Sequence, residues 1–120
     1  EVRGQTITAM DWYPTVLALC GVQRQPDAPR LDGHNILPII ESKDAKSNYR
    51  GVLHFQWHTK WAVRRGMWKL IGMDGKNNAT LHRLDGEQPE VKNHATEQPE
   101  IVAELTQLHE AWVKDVTPAK

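Results

Sequence analysis

Apolar residues change their spacing near residue 51. Before that point Val16, Leu17, Leu19 and Cys20 recur at helical intervals, whereas Val52-Leu-His-Phe-Gln-Trp-His58 opens a series of short β-forming runs. Residues Thr6 to Gly21 read as a lead-in and a helix, with Asp11 as N-cap and Gly21 as the C-terminal stop. Pro14 falls in the first turn, where its missing N–H is not needed. The stripe predicts a helix packed against something and puts Cys20 in a core as small filler. Gln25-Pro-Asp-Ala-Pro29 then breaks regular structure, Asp32-Gly33 marks a turn, and Ile36 to Ile40 form a short buried plug or turn of helix.

Four strands are predicted at residues 52–58, 61–65, 68–71 and 79–84, joined by Thr59-Lys60, Arg65-Gly66 and the turn-rich segment Gly72 to Asn78. Connections this short favour an antiparallel meander. After Gln88-Pro-Glu90, Pro99 opens a helix in which Ile101, Leu105, Leu108 and Trp112 share a face, with Glu100 and Lys114 placed to suit the helix dipole. The expected fold class is α+β: a helix and irregular crossing over residues 1–50, a four-stranded antiparallel sheet over 51–85, and a closing helix within 86–120.

Composition adds a constraint. Of 120 residues, 39% are apolar, which predicts a thin core or a large face resting on another domain. Fifteen basic residues balance fifteen acidic ones, so no global field favours nucleic acid or an anionic bilayer. No apolar run reaches the roughly 18 residues of a membrane span. The single cysteine forms no intrachain disulfide, and the first residue is Glu1, which suits a piece of a longer polypeptide.

Candidate chemistry is sparse. His54 and His58 would stand about 13 Å apart on a strand rising ~3.3 Å per residue, too far to share one zinc ion. His34, His82, His94 and His109 read as surface or hydrogen-bonded residues. Cys20 has no polar neighbour to activate it, and neither Ser42 nor Ser47 lies on a nucleophile elbow. What remains is an aromatic and basic cluster of Trp57, His58, Lys60, Trp61, Arg64, Arg65, Trp68 and Lys69, suited to rings and to sulfate or phosphate groups. Strand alternation puts Lys60 and Arg64 on one face and Trp61, Val63 and Arg65 on the other. Asn78-Ala-Thr80 fits the N-glycosylation pattern.

The order of several motifs resembles that of sulfatases. Thr8-Ala-Met-Asp-Trp-Tyr-Pro-Thr-Val-Leu-Ala-Leu-Cys-Gly21 is similar to a helix of that family, and Leu31-Asp-Gly-His-Asn-Ile-Leu-Pro38 to its sequel. Ala62-Val-Arg-Arg-Gly-Met-Trp-Lys-Leu70 looks like the family's late hairpin. Leu81-His-Arg-Leu-Asp85, Pro89-Glu90, Asn93 and Pro99-Glu-Ile-Val-Ala-Glu-Leu105 resemble its closing segments. The resemblance covers nearly the whole chain. It implies the C-terminal subdomain of an alkaline-phosphatase-like fold, a periplasmic or secreted setting, and a catalytic domain N-terminal to it in the same polypeptide. It also implies sulfate-ester hydrolysis through formylglycine and a divalent cation, calcium or magnesium.

None of that catalytic machinery is expected in this chain, because Cys20 is followed by Gly-Val-Gln-Arg rather than the maturation motif. His58, Arg64, Lys69 and Lys76, the last within the Gly72 to Asn78 loop, are the candidate substrate-binding residues of a rim. A free-standing binding module for sulfated or phosphorylated ligands and a non-catalytic remnant are the alternatives.

Overall fold

The computed structural model describes residues 4–49 and 51–117. It has an α+β architecture, with a four-stranded antiparallel sheet, a C-terminal helix and an N-terminal helix. The chain divides into two compact units, residues 1–50 and residues 51–120.

In the first unit a single 3-10 turn, Ala9–Asp11, leads into α1, Trp12–Leu19. Asp11 stands at the N-cap of α1, as expected, and Thr8 at that of the 3-10 turn. The Thr8 N–H donates to Asp11 Oδ2 at 2.6 Å in a capping box, and Asp11 makes no side-chain cap for α1. The carboxylate is instead a fully buried hub. Its Oδ1 accepts from the His34 N–H at 2.8 Å and from the Tyr49 hydroxyl, so it ties three distant stretches of chain together. Burial alone would push this carboxyl up; the bonds from Tyr49, Thr8 and His34 outweigh it and hold Asp11 below the usual carboxylate range. Thr15 Oγ1 adds a second buried link, donating to Asp11 O and accepting from the Ile36 N–H.

Gly21 ends α1 as expected. At φ +64° it lets the Gly21 N–H reach Ala18 O and the Val22 N–H reach Leu17 O, the paired bonds of a Schellman motif. The predicted plug forms α2, Leu37–Glu41, with Ile36 and Ile39 buried and Ile40 exposed. One expectation fails on α1, that of Cys20 as core filler. Val16 and Leu19 are exposed, and Cys20 lies exposed at the helix end rather than in a core. The only buried side chain of α1 is the polar Thr15, because the buried contacts of this unit are organised around the Asp11 carboxylate and not around the aliphatic stripe.

The second unit is a meander in the order β1 (Val52–Trp57), β2 (Lys60–Arg65), β3 (Trp68–Met73) and β4 (Lys76–Arg83), all antiparallel. Each connection is a two-residue turn. Gly66 at φ +57° and Gly75 at φ +73° supply the left-handed conformations that such tight hairpins use. The expected loop from Gly72 to Asn78 is therefore mostly strand. Met73 pairs with Lys76, leaving only Asp74-Gly75 as the turn, since an Asp-Gly dipeptide closes the hairpin without spare residues.

The closing helix α3, Pro99–Val116, packs on one sheet face. Val63, Leu70, Leu81 and Leu105 form the buried core, flanked by Val52, Trp61, Trp68, Ile101 and Leu108. The register between β3 and β4 shifts between Ile71 and Met73. Here the Trp61 ring lies so close to Gly72 that a Cβ there would meet Trp61 Cζ2 at 2.2 Å. The segment after β4 covers that strand's edge: the His94 N–H donates to Leu81 O at 2.7 Å, and the Leu81 N–H to Asn93 Oδ1 at 3.0 Å. The opposite sheet face carries Leu53, Phe55, Trp57, Ala62 and Ile71, with Phe55 and Trp57 exposed.

Candidate functional site

The predicted rim residues fall in two places. Arg64 and Lys69 sit directly opposite one another on β2 and β3, with Leu53 and His82 continuing the same rung across the sheet. Both cations already have partners. Arg64 Nε donates to Gly66 O at 3.3 Å, and Lys69 Nζ lies 2.5 Å from Glu90 Oε1, an ion pair that draws the Glu90 carboxyl below its usual range. An incoming anion at Lys69 would have to displace that carboxylate. His82 is buried between Lys92 O at 3.0 Å and Thr80 Oγ1 at 2.9 Å, which fixes its ring as a structural tie.

His58 lies in the β1–β2 turn, at the end of the sheet where Trp57, Lys60, Met73 and Lys76 form the terminal rung. That is about 13 Å along β2 from the Arg64 rung at ~3.3 Å per residue. The Lys76 side chain lies outside the described residues. His58 is exposed and edge-on to the exposed Trp57 at 4.9 Å. Its φ of +52° is a left-handed conformation that costs a non-glycine residue on the order of 1 kcal/mol or more. A strained, solvent-facing imidazole beside an exposed indole is an arrangement suited to ring stacking and hydrogen bonding. The Asp74 N–H donates to Thr59 O at 2.7 Å, so the β1–β2 and β3–β4 turns are linked at this end.

A groove of about 920 Å³ opens between the β3–β4 hairpin and the C-terminal half of α3. Trp61, Asp74, Asn77, His109, Glu110 and Lys114 are among its lining residues. His109 was expected at the surface or hydrogen-bonded. It is 5% exposed, stacked on Trp61 at 4.1 Å, and its Nδ1 has no hydrogen-bond partner. Burial lowers its pKa, and Asp74 and Glu110 act against that shift. The signal was present in the sequence, because residue 109 follows Leu105 by four and precedes Trp112 by three, on the apolar face of α3.

Among the described residues no three His, Cys, Asp or Glu side chains converge on a point where they would hold a metal ion. Asn78 of the glycosylation pattern lies exposed on β4, and Thr80 is engaged by His82.

No family model matches the chain. Over 112 residues, 85% of the chain, it is 29% identical to arylsulfatase K of Danio rerio. Over 68 residues, 50% of the chain, it is 29% identical to arylsulfatase D of Homo sapiens. The chain spans 21% of the first relative's length and 11% of the second's. These matches suggest a sulfatase-like relationship.

Proposed function

We propose that this chain is the C-terminal portion of a sulfatase, a sulfuric ester hydrolase, in which it completes the fold and lends side chains to the substrate-binding rim without a catalytic centre of its own. The observation that carries this reading is the alignment with an arylsulfatase over 85% of the chain but 21% of the relative. The exposed Phe55 and Trp57 on the sheet face opposite α3 support it, as apolar surface suited to a neighbouring catalytic domain.

On this reading the formylglycine and divalent cation of that chemistry belong to the catalytic domain N-terminal to these residues. Cys20 is exposed at the end of α1 and followed by Gly21, Val22, Gln23 and Arg24, and the described residues supply no converging metal donors. The part left to this chain is positioning. His58, with Trp57 beside it, would contact the organic part of the ester, and Lys76 lies at the same end of the sheet. Arg64 and Lys69 would contribute more weakly, since each is already engaged.

In the complete enzyme, His58→Ala should lower kcat/KM for the natural sulfate ester by about tenfold, the worth of ~1.4 kcal/mol, and leave a small aryl sulfate nearly unchanged. Equal losses on both substrates would remove His58 from the rim. The adjacent Arg64 and Lys69 favour a second reading, a binding module for sulfated or phosphorylated ligands. Saturable binding of a sulfated glycan by the chain alone, weakening with added salt, would support that reading over the first.

A further inference from the structure

Four rings run in sequence from the sheet into α3. Trp61 of β2 stacks on His109 at 4.1 Å with planes 13° apart; His109 faces Trp112 at 6.1 Å; and Trp112 lies parallel to His54 of β1 at 5.2 Å. These contacts attach the C-terminal half of α3. Its N-terminal half is held by the buried Leu105 and by the Arg65–Glu104 ion pair. The Nδ1 atoms of both histidines are buried and have no hydrogen-bond partner. A neutral imidazole tolerates this. An imidazolium there would carry a charge and an N–H toward a place with no acceptor, which costs free energy that opening the helix would relieve.

We propose that this stack is a pH-sensitive latch. It holds the C-terminal half of α3 over the groove while His54 and His109 are neutral, and it releases that half, widening the groove, when they are protonated. The charged groups around it are few. Asp74 from the β3–β4 hairpin and Glu110 from α3 favour a charged His109, Lys114 lines the same groove, and Arg65 and Glu104 neutralise each other one turn before His109. Each histidine would also oppose protonation of the other. Burial is the largest influence on both and sets the direction, below the ordinary value of 6.5.

The sign follows from linkage. Above pH 6.5 open and closed forms are both neutral and closure is at full strength. As the pH falls below that value, the open form takes up protons that the closed form excludes. The closed-to-open ratio then drops by up to about tenfold per pH unit for each histidine, until the depressed native values are passed.

Hydrogen exchange of the whole chain at pH 7.5 and 5.5, corrected for intrinsic exchange, tests this. Protection of amides 109–116 should fall at the lower pH, by up to about tenfold for each histidine, while those of Leu70 and Leu81 hold. In the His54→Phe/His109→Phe double variant, which keeps the rings and removes the titration, protection should be equal at both pH values. No change in the unsubstituted chain, the same fall in the double variant, or a parallel fall at Leu70 and Leu81 would overturn the latch. If the double variant does not fold, an NMR titration of the two imidazoles decides, since values at or above 6.5 would overturn it.

Discussion

Gly72→Ala is the smallest change that should disturb the helix–sheet contact. An added Cβ would lie 2.2, 2.5 and 2.8 Å from three atoms of the Trp61 ring, where ordinary contact begins near 3.4 Å. The ring is stacked on His109 at 4.1 Å, so moving it would disturb that contact. Either β3 shifts or the indole leaves its place. Overpacking of this kind costs ~1–3 kcal/mol, and complete loss of the indole's packing would set a ceiling of ~3–5 kcal/mol. We expect ~2–3 kcal/mol by urea unfolding followed through near-UV circular dichroism, which reads the aromatic packing of the second unit. Gly86→Ala is the control. Nothing lies within 4 Å of its added Cβ and its φ is not left-handed, so a change within about 0.5 kcal/mol is expected. The decisive comparison is Gly72→Ala in a Trp61→Ala background, where the clash is gone and the cost should fall to near zero. A cost that persists without the indole, or a Gly72→Ala variant as stable as its parent, would refute the steric reasoning.

Asp11→Asn should destabilise the first unit by ~2–4 kcal/mol, because the amide retains one acceptor for three donors in a fully buried site; faster amide exchange at Thr8 and His34 would report it. Since the native Asp11 pKa lies below 3.8, its contribution is complete above the ordinary carboxylate range. It is lost as the pH falls from there through the native value, so the variant should have a flatter acid limb. Leu81→Ala, at the fully buried centre of the second unit, should cost ~2–5 kcal/mol in urea unfolding, and less than ~1 kcal/mol would show that the core does not close on β4.

The second unit was largely legible in the sequence. β-Branched and aromatic runs separated by Gly-containing turns specify a meander, and the spacing of Ile101, Leu105, Leu108 and Trp112 specifies the face that α3 turns to it. What escaped was set by tertiary pairing. Asn77 and Asn78 read as turn residues, yet pairing across the Asp74-Gly75 turn draws both into β4. In the first unit the misreading was chemical. Aliphatic spacing put Cys20 in a core, whereas the buried contacts gather on the polar side chains of Asp11 and Thr15, whose partners His34, Ile36 and Tyr49 lie over 20 residues away. The Trp61–His109 stack was hidden for a similar reason. Its members are 48 positions apart, and a histidine on an apolar helix face does not announce whether it will be bonded or merely stacked.

The most direct test of the sulfatase assignment is sulfate release from a small aryl sulfate, measured with calcium or magnesium present, by the polypeptide that the complete reading frame around these residues encodes and by residues 1–120 alone. The account predicts turnover by the complete polypeptide and none by the 120-residue chain. Turnover by the isolated chain, or its absence from the complete polypeptide, would contradict it.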